Sequence, residues 1–147
     1  MGIISRFPAG ATKPYIEETY NSDGQLVDAK MHGYDAIRDY SFYNCTSLAL
    51  TSLPSGITSI GEGAFESCSS LALTSLPSGI ASIGNYAFVY CQSLVSLTFE
   101  GTPESIGDSA FVGCNNLTTI NVPWAEGAVA NAPWGATNAT INYGHTG

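Results

Sequence analysis

Positively charged side chains are scarce in this sequence of 147 residues, which has 4 Lys and Arg against 12 Asp and Glu and a net charge of -8. A surface so poor in cations cannot neutralise a phosphate backbone, so nucleic acid is excluded as a favoured partner. Anionic membrane surfaces are disfavoured for the same reason. Because only 11% of the residues are charged, Ser, Thr, Asn and Gly must cover most of the surface.

Long apolar runs are missing as well. No segment approaches the ~20 apolar residues that a membrane-spanning helix needs, so we expect no membrane insertion. The opening Met1–Phe7 carries one arginine but no extended apolar region, so no signal peptide is visible in this chain. If the protein is exported, either it uses another route or a targeting segment has been removed.

The residue patterns of catalytic and metal sites are also lacking. His32 and His145 are the only histidines, and a Ser or Cys nucleophile would need such a base, itself oriented by a third group. Zinc sites need closely spaced Cys or His pairs, and neither CxxC nor HxxxH occurs. No Gly-rich phosphate loop follows a strand. The sequence therefore predicts no catalytic residue, no cofactor and no metal.

What organises the sequence is an internal repeat of 23 residues, visible as four apolar columns of Ile, Phe, Cys and Leu. A unit of this length cannot bury its own apolar face, so each unit must pack on its neighbours. We therefore expect four stacked units that begin at the four isoleucines. The columns are Ile37, Ile60, Ile83 and Ile106; Phe42, Phe65, Phe88 and Phe111; Cys45, Cys68, Cys91 and Cys114; and Leu48, Leu71, Leu94 and Leu117.

The cysteine column is predicted to be reduced and buried. Stacked units bring neighbouring cysteines close, but parallel Cβ vectors do not face each other as a disulfide requires. Free cysteine is one of the most buried residue types and packs as a small hydrophobe. Such thiols stay protonated and inert.

Each unit divides into two periodicities. In the first half, Ile60, Ala64 and Cys68 are spaced four apart, which predicts a short α or 3₁₀ segment. In the second half, apolar residues alternate around Thr98 and around Asn121, which is the period of a strand. One strand per unit, joined by crossovers, makes a parallel sheet that grows along the stack. The predicted class is therefore α/β.

The strand register of the first two units is open. Thr51 and Thr74 occupy the places of the apolar Leu97 and Ile120, and a leucine stands one residue earlier, at Leu50 and Leu73. Either the threonine is buried and the leucine exposed, or the strand is locally shifted. A slip of one residue would exchange the two faces.

The flanking sequences are suited to covering the two ends of such a stack. Tyr15–Tyr20 and Gln25–His32, around the turn Asn21–Gly24, are typical of a β-hairpin. Both tryptophans, Trp124 and Trp134, lie in the C-terminal tail, around a predicted helical piece and before a strand-like segment. We divide the chain into an N-terminal linker and hairpin cap (1–34), the repeats (35–122) and a C-terminal cap (123–147). Residues 1–14 are predicted to be the linker.

The motif Ile-Gly-x-x-Ala-Phe-x-x-Cys-x-x-Leu occurs in full at Ile60–Leu71, Ile83–Leu94 and Ile106–Leu117, and the first unit departs from it at Arg38 and Ser41. In this motif the repeats resemble the BspA-type (Treponema-type) leucine-rich repeat. The resemblance implies a leucine-rich-repeat solenoid. It also implies a bacterial or protozoan surface protein that binds matrix proteins or other cells without catalytic residues. The whole chain is similar to small repeat proteins of gut Firmicutes and their phages.

We place the candidate ligand face on the outer side of the strands, at Leu50, Ser52, Leu73, Ser75, Ser96, Thr98, Thr119 and Asn121. The predicted function is an extracellular or cell-surface module for adhesion to a protein or a glycan. The alternative is a structural accessory protein of a phage particle or surface assembly, which would place it on a virion. An exposed patch of Leu50 and Leu73 in a homo-oligomer would favour that alternative.

Overall fold

A computed structural model describes the chain over residues 13–146 and, as backbone only, over residues 2–5. Within these residues it contains eleven strands and no helix. The strands are β1 (Gly2–Ser5), β2 (Tyr15–Tyr20), β3 (Leu26–His32), β4 (Ala36–Ile37), β5 (Ser59–Ile60), β6 (Ser75–Leu76), β7 (Ser82–Ile83), β8 (Ser96–Phe99), β9 (Ser105–Ile106), β10 (Thr119–Asn121) and β11 (Thr140–Asn142). Most of the predicted linker, 1–14, lies outside the described residues.

The N-terminal hairpin is present and joins the first coil of the repeats. β2 pairs antiparallel with β3, and β1 pairs with the other edge of β2. The Asn21 carboxamide oxygen closes the turn by accepting bonds from the amides of Asp23 and Gln25, at 2.9 and 3.0 Å. The Val27 carbonyl accepts a 3.0 Å bond from the Ala49 amide. Strand β3 therefore covers the open end of the stack.

The repeats form two parallel sheets, each with at most one strand per coil, whereas the sequence predicts only one of them. The first sheet, which we call the strand ladder, has the order β11-β10-β8-β6. The second sheet consists of two-residue strands in the order β4-β5-β7-β9. Ile37, Ile60, Ile83 and Ile106 are direct partners in the second sheet. The chain is a β-solenoid with parallel strands.

The short helical segments are not confirmed. In the first coil, the amides of Ser41 and Tyr43 bond locally to the carbonyls three residues back, whereas the amides of Phe42 and Asn44 bond to the next coil. A helix would direct every N–H to a carbonyl four residues back within the same segment. Alternate N–H groups point along the stack because residues with positive φ, such as Asn44 at 60°, turn the chain repeatedly. The described residues therefore make an all-β solenoid, and the α/β class is corrected.

The core is a set of stacked apolar columns. Phe42, Phe65, Phe88 and Phe111 stack face to face, with ring centroids 5.4, 5.5 and 5.3 Å apart and planes within 10° of parallel. No polar or charged residue is buried among the described residues. Cys68, Cys91 and Cys114 are buried and Cys45 is half-buried, and all four are free thiols.

The predicted count of four units is too small. β11 runs parallel to β10 in register, Thr119 opposite Thr140 and Asn121 opposite Asn142. The Phe111 amide donates a 2.9 Å bond to the Trp134 carbonyl, so Trp134 continues the phenylalanine column. The predicted C-terminal cap thus holds a fifth coil, and its expected helical piece is a series of turns. The boundaries at residues 34 and 122 stay predictions.

An aromatic cluster covers the core at the C-terminal end. Trp124 packs edge-on against Phe99 and Trp134, with centroids 5.3 and 6.1 Å away. Trp134 is fully buried, and its indole N–H donates a 2.8 Å bond to the Ala130 carbonyl. Large aromatic side chains bury much apolar area each, so this pair closes the end of the core.

The register question is resolved in favour of buried leucines. Leu50 and Leu73 belong to the core, while Thr51 and Thr74 are exposed. The strand resumes the common register at Leu76, which pairs with Phe99. The chain is therefore shifted locally before β6, and no threonine is buried there.

Candidate binding surfaces

The structure revises the predicted ligand face on the strand ladder. Leu50 and Leu73 are only 7% and 1% exposed, so both are removed from this face, because the local shift turns them inward. The other six residues reach the surface. Ser52 and Ser96 are exposed, and Ser75, Thr98, Thr119 and Asn121 are half-buried.

Five of the six remaining residues are brought together as two columns. Ser75, Thr98 and Asn121 are successive partners across β6, β8 and β10, and Ser96 is the partner of Thr119. Ser52 is not in a strand, and it lines a separate cleft beside the N-terminal hairpin. The strand face is thus a narrow strip of small polar side chains.

The first column is a hydrogen-bonded ladder. The Asn121 carboxamide donates a 3.1 Å bond to the Thr98 hydroxyl, and the Asn142 carboxamide donates a 2.8 Å bond to the Asn121 carboxamide oxygen. These bonds fix three side chains in one orientation. Sequence reasoning missed Asn142 because the fifth coil was not recognised. The sequence does contain a signal for the fifth coil, because Thr-Ile-Asn occurs at both 119–121 and 140–142.

A second surface lies on the turn segments. We call it the turn face and define it by Tyr40, Tyr43, Tyr86, Tyr90 and Val112, whose side chains are all exposed. The four tyrosines are between 44% and 53% exposed. Among the described residues, the only other exposed large apolar side chain is Val95. Five of the six exposed large apolar side chains among the described residues therefore belong to the turn face.

Two tyrosines of the turn face, Tyr40 and Tyr90, rest on the neighbouring coil. A Cβ added to Gly63 would overlap the Tyr40 ring, and one added to Gly113 would overlap the Tyr90 ring. Tyr43 contacts Tyr40 edge-on, with ring centroids 6.0 Å apart. The rings are supported from below while their outer faces stay open to solvent.

Negative charge surrounds Tyr40. Its hydroxyl donates a 2.7 Å bond to the Glu62 carboxylate. That bond, with the nearby charges of Glu62, Glu66 and Asp39, raises the pKa of Tyr40 to about 12. The backbone amide of Glu62 in turn donates a 2.9 Å bond to the Asp39 carboxylate. The aromatic pair Tyr40 and Tyr43 thus stands beside three carboxylates.

The charges are unevenly distributed along the chain. All four cations lie at or before Arg38. Beyond it there is no Lys or Arg, and the acidic residues are Asp39, Glu62, Glu66, Glu100, Glu104, Asp108 and Glu126. The body of the solenoid is therefore purely anionic apart from any charge on His145.

A cleft of about 220 Å³ lies where the hairpin meets the first coil. Ile16, Met31 and Phe42 form its apolar part, and Glu18 and Arg38 stand at its rim. No sequence signal pointed to this cleft, because it depends on how the hairpin sits against the first coil.

The described residues do not assemble a catalytic or metal site. His32 lies 2.7 Å from the Glu17 carboxylate and stacks on Tyr15 at 4.4 Å, but all three belong to the hairpin. Burial raises the pKa of Cys68 to about 12 and that of Cys114 to about 11, so these thiols are poor nucleophiles. Residues 13–146 contain no group of three His, Cys, Asp or Glu that could hold a metal. They also contain no helix of the length and apolarity needed to cross a membrane.

Comparisons with known proteins agree with this architecture. The profile of the BspA-type leucine-rich repeat region matches residues 26–129 in six copies. A leucine-rich repeat protein from Bacteroides ovatus is 31% identical with a TM-score of 0.70, and the match covers 84% of this chain and 31% of that one. This chain thus spans less than a third of that relative's length.

A leucine-rich repeat protein from Treponema pallidum shares the fold at 22% identity and a TM-score of 0.51, with 95% of this chain and 82% of that chain covered. None of the curated proteins compared with the chain matches it significantly.

Proposed function

The chain belongs to the BspA-type leucine-rich-repeat family, and from this premise we propose that it is a non-enzymatic binding module. It contacts a protein or a cell-surface glycan, and its place of action is the cell surface or the extracellular space. Proteins of this family and fold are typically non-enzymatic binding scaffolds at the cell surface or outside the cell. Leucine-rich repeat proteins generally mediate protein interactions.

The observation that carries the proposal is the ladder of Thr98, Asn121 and Asn142 on the strand face. Each carboxamide donates a hydrogen bond to a side chain of the preceding coil, on strands whose inner side is a dry apolar core. A surface ordered before binding loses little entropy when a ligand arrives. Small hydroxyl and carboxamide groups suit hydrogen bonds to a peptide backbone or to sugar hydroxyls.

The alternative, a structural accessory protein of a phage particle or surface assembly, loses its main support. An exposed patch of Leu50 and Leu73 that joins copies of the chain would have supported this alternative. Both side chains are buried within one molecule, so they offer no such patch. Light scattering on the purified chain tests the alternative, which predicts a stable oligomer.

The binding proposal is tested with the full chain against immobilised matrix proteins and a glycan array. We expect at least one partner whose binding weakens by roughly tenfold in the Asn121→Ala, Asn142→Ala double variant, the loss typical of an interface hot spot. Ser55→Ala, on an exposed turn away from the ladder, is the matched control. A folded monomer that binds nothing on the panel contradicts the proposal.

A further inference from the structure

We propose that the turn face is a second interaction surface, which docks a basic protein through its Lys and Arg side chains. It lies on different segments of each coil from the strand face, so this inference and the proposed function can fail separately.

The exposed apolar side chains are concentrated on the turn face. Nearly all large apolar residues of the described chain are buried or half-buried, and five of the six exposed ones form the turn face. Exposed apolar side chains scattered singly need no explanation, but a concentration on one face marks a contact surface. Tyrosine is enriched at protein interfaces because it joins a large apolar ring to a polar tip.

The backbone is strained at Tyr40 and Tyr86. Tyr40 and Tyr86 have φ of 56° and 61°, and Gly63, at the same place in the coil between them, has φ of 61°. Glycine adopts this conformation without strain, whereas a bulky residue there is an outlier. The turn itself therefore does not require tyrosine at these places. Strain of this kind is a reason to infer function, since the fold alone would not select the residue.

Two of the rings are held in place before any partner arrives. Tyr40 lies over Gly63 and Tyr90 lies over Gly113, and the Tyr40 hydroxyl is fixed by Glu62. Tyrosines supported in this way present a large contact area at a low cost in conformational entropy, while neighbouring Ser and Asn adapt their hydrogen bonds. The turn face has this composition, with Ser41, Asn44 and Asn85 all exposed beside the tyrosines.

The charge distribution selects the partner. Asp39, Glu62 and Glu66 act on the Tyr40 hydroxyl. Arg38, the nearest Lys or Arg in sequence, lines the cleft at the hairpin end and a second cleft with Asp39, so one cation stands against three carboxylates there. A partner rich in carboxylates is repelled by this surface. A Lys or Arg side chain gains attraction from the carboxylates and a cation–π contact with the open face of a tyrosine. A neutral glycan would gain the ring contact and hydrogen bonds from its hydroxyls to the carboxylates, but no charge attraction, so the observations favour a basic protein.

The test measures binding of a short Arg- and Lys-rich peptide to the full chain by fluorescence anisotropy at physiological ionic strength, where the Debye length is about 8 Å. The key variant is Tyr43→Ser, Tyr86→Gly, Tyr90→Gly, which removes aromatic rings and leaves every charge in place. The two glycines suit the positive φ at these sites, so the variant should fold, and its thermal unfolding is measured alongside. The matched control is Glu100→Gln, Glu104→Gln, which removes two charges outside the turn face.

We expect the tyrosine variant to bind the peptide roughly tenfold or more weakly and the control to bind within about threefold of the parent chain. The proposal is overturned if the tyrosine variant binds the peptide as well as the parent chain does. It is also overturned if the control weakens binding as much as the tyrosine variant, because binding would then depend on net charge alone. Tyrosine-dependent binding of neutral oligosaccharides in place of the peptide also overturns it.

Discussion

The thiol of Cys91 donates a hydrogen bond to the carbonyl oxygen of Phe65 in the preceding coil, with 3.1 Å between sulfur and oxygen. The same link joins Cys68 to Phe42 at 3.0 Å and Cys114 to Phe88 at 2.8 Å. Each cysteine therefore both fills the core and ties one coil to the previous one. This explains why a cysteine recurs in every full repeat although none of them is placed for chemistry.

The first prediction concerns thiol accessibility. With a disulfide reagent in the native state, Cys45 should react first, because it is half-buried while the other three are buried. Cys68, Cys91 and Cys114 should react only as the chain unfolds, and denaturant should reveal all four thiols at once. The measurement is the absorbance of the released thiol over time.

Cys45→Ser is the control for this experiment and should abolish the early phase. A count of fewer than four thiols in denaturant without reductant would contradict the assignment of free cysteines.

The second prediction is that alkaline pH destabilises the fold. Burial raises the pKa of the native Cys68 thiol to about 12 from an unfolded value of 9.0 and that of Cys114 to about 11, and it also raises the pKa of Cys91. Above pH 9 the unfolded chain therefore holds fewer protons than the native chain, so the free energy of unfolding falls as pH rises. Each thiol contributes at most about 1.4 kcal/mol per pH unit.

Urea unfolding between pH 8 and pH 11 measures this slope, since the window runs from just below the unfolded pKa to the native pKa of Cys114. Cys91→Ala should be less stable at pH 8 but should lose stability less steeply above pH 9. An identical slope in the variant would show that the buried thiols are not responsible.

The repeat columns could be predicted because identical residues recur every 23 positions, and they packed as expected. The absence of helices could not be predicted in the same way. Side chains spaced by four can point inward from a helix, but also from successive tight turns that form backbone hydrogen bonds with the next coil. The fifth coil was missed because other residue types fill its columns. Val129 stands 23 residues after Ile106, and Trp134 stands 23 after Phe111.

The binding surfaces were predicted less well than the core. A polar residue on a strand has no partner visible in sequence, so the Thr98–Asn121–Asn142 ladder appears only once the register is known. Leu50 and Leu73 were assigned to the outer face because the alternation of side chains was taken to be that of a regular strand. The chain before Leu76 is locally shifted, and both leucines point inward.

The third prediction tests that shift with two adjacent residues. Leu73→Ala should lower the free energy of unfolding by about 2–5 kcal/mol, because it leaves a cavity in the core. Thr74→Ala, at an exposed position, should change it by less than about 0.5 kcal/mol. Chemical denaturation of the two variants makes the comparison. A larger loss for Thr74→Ala would place the threonine inside and reverse the register.

The fourth prediction separates the two tryptophans at the C-terminal end. Trp134→Phe removes the bond from the indole N–H to Ala130 and should cost about 1 kcal/mol beyond the lost packing. In Trp124 the buried indole nitrogen has no hydrogen-bond partner among the described residues, so Trp124→Phe also removes an unsatisfied polar group. Trp124→Phe should therefore be the milder substitution in thermal unfolding. The opposite order would contradict the bonding described here.

The central claim is that consecutive coils are joined through their turn segments by the backbone as well as by the phenylalanine column. The amides of Phe65 and Phe88 donate 2.8 Å bonds to Ala87 and Ala110 of the next coil. Native-state hydrogen exchange, followed residue by residue by NMR, tests this most directly. We predict that both amides exchange only through global unfolding, with the free energy of the whole domain. Exchange at the rate of an open loop would contradict the stacked-coil account.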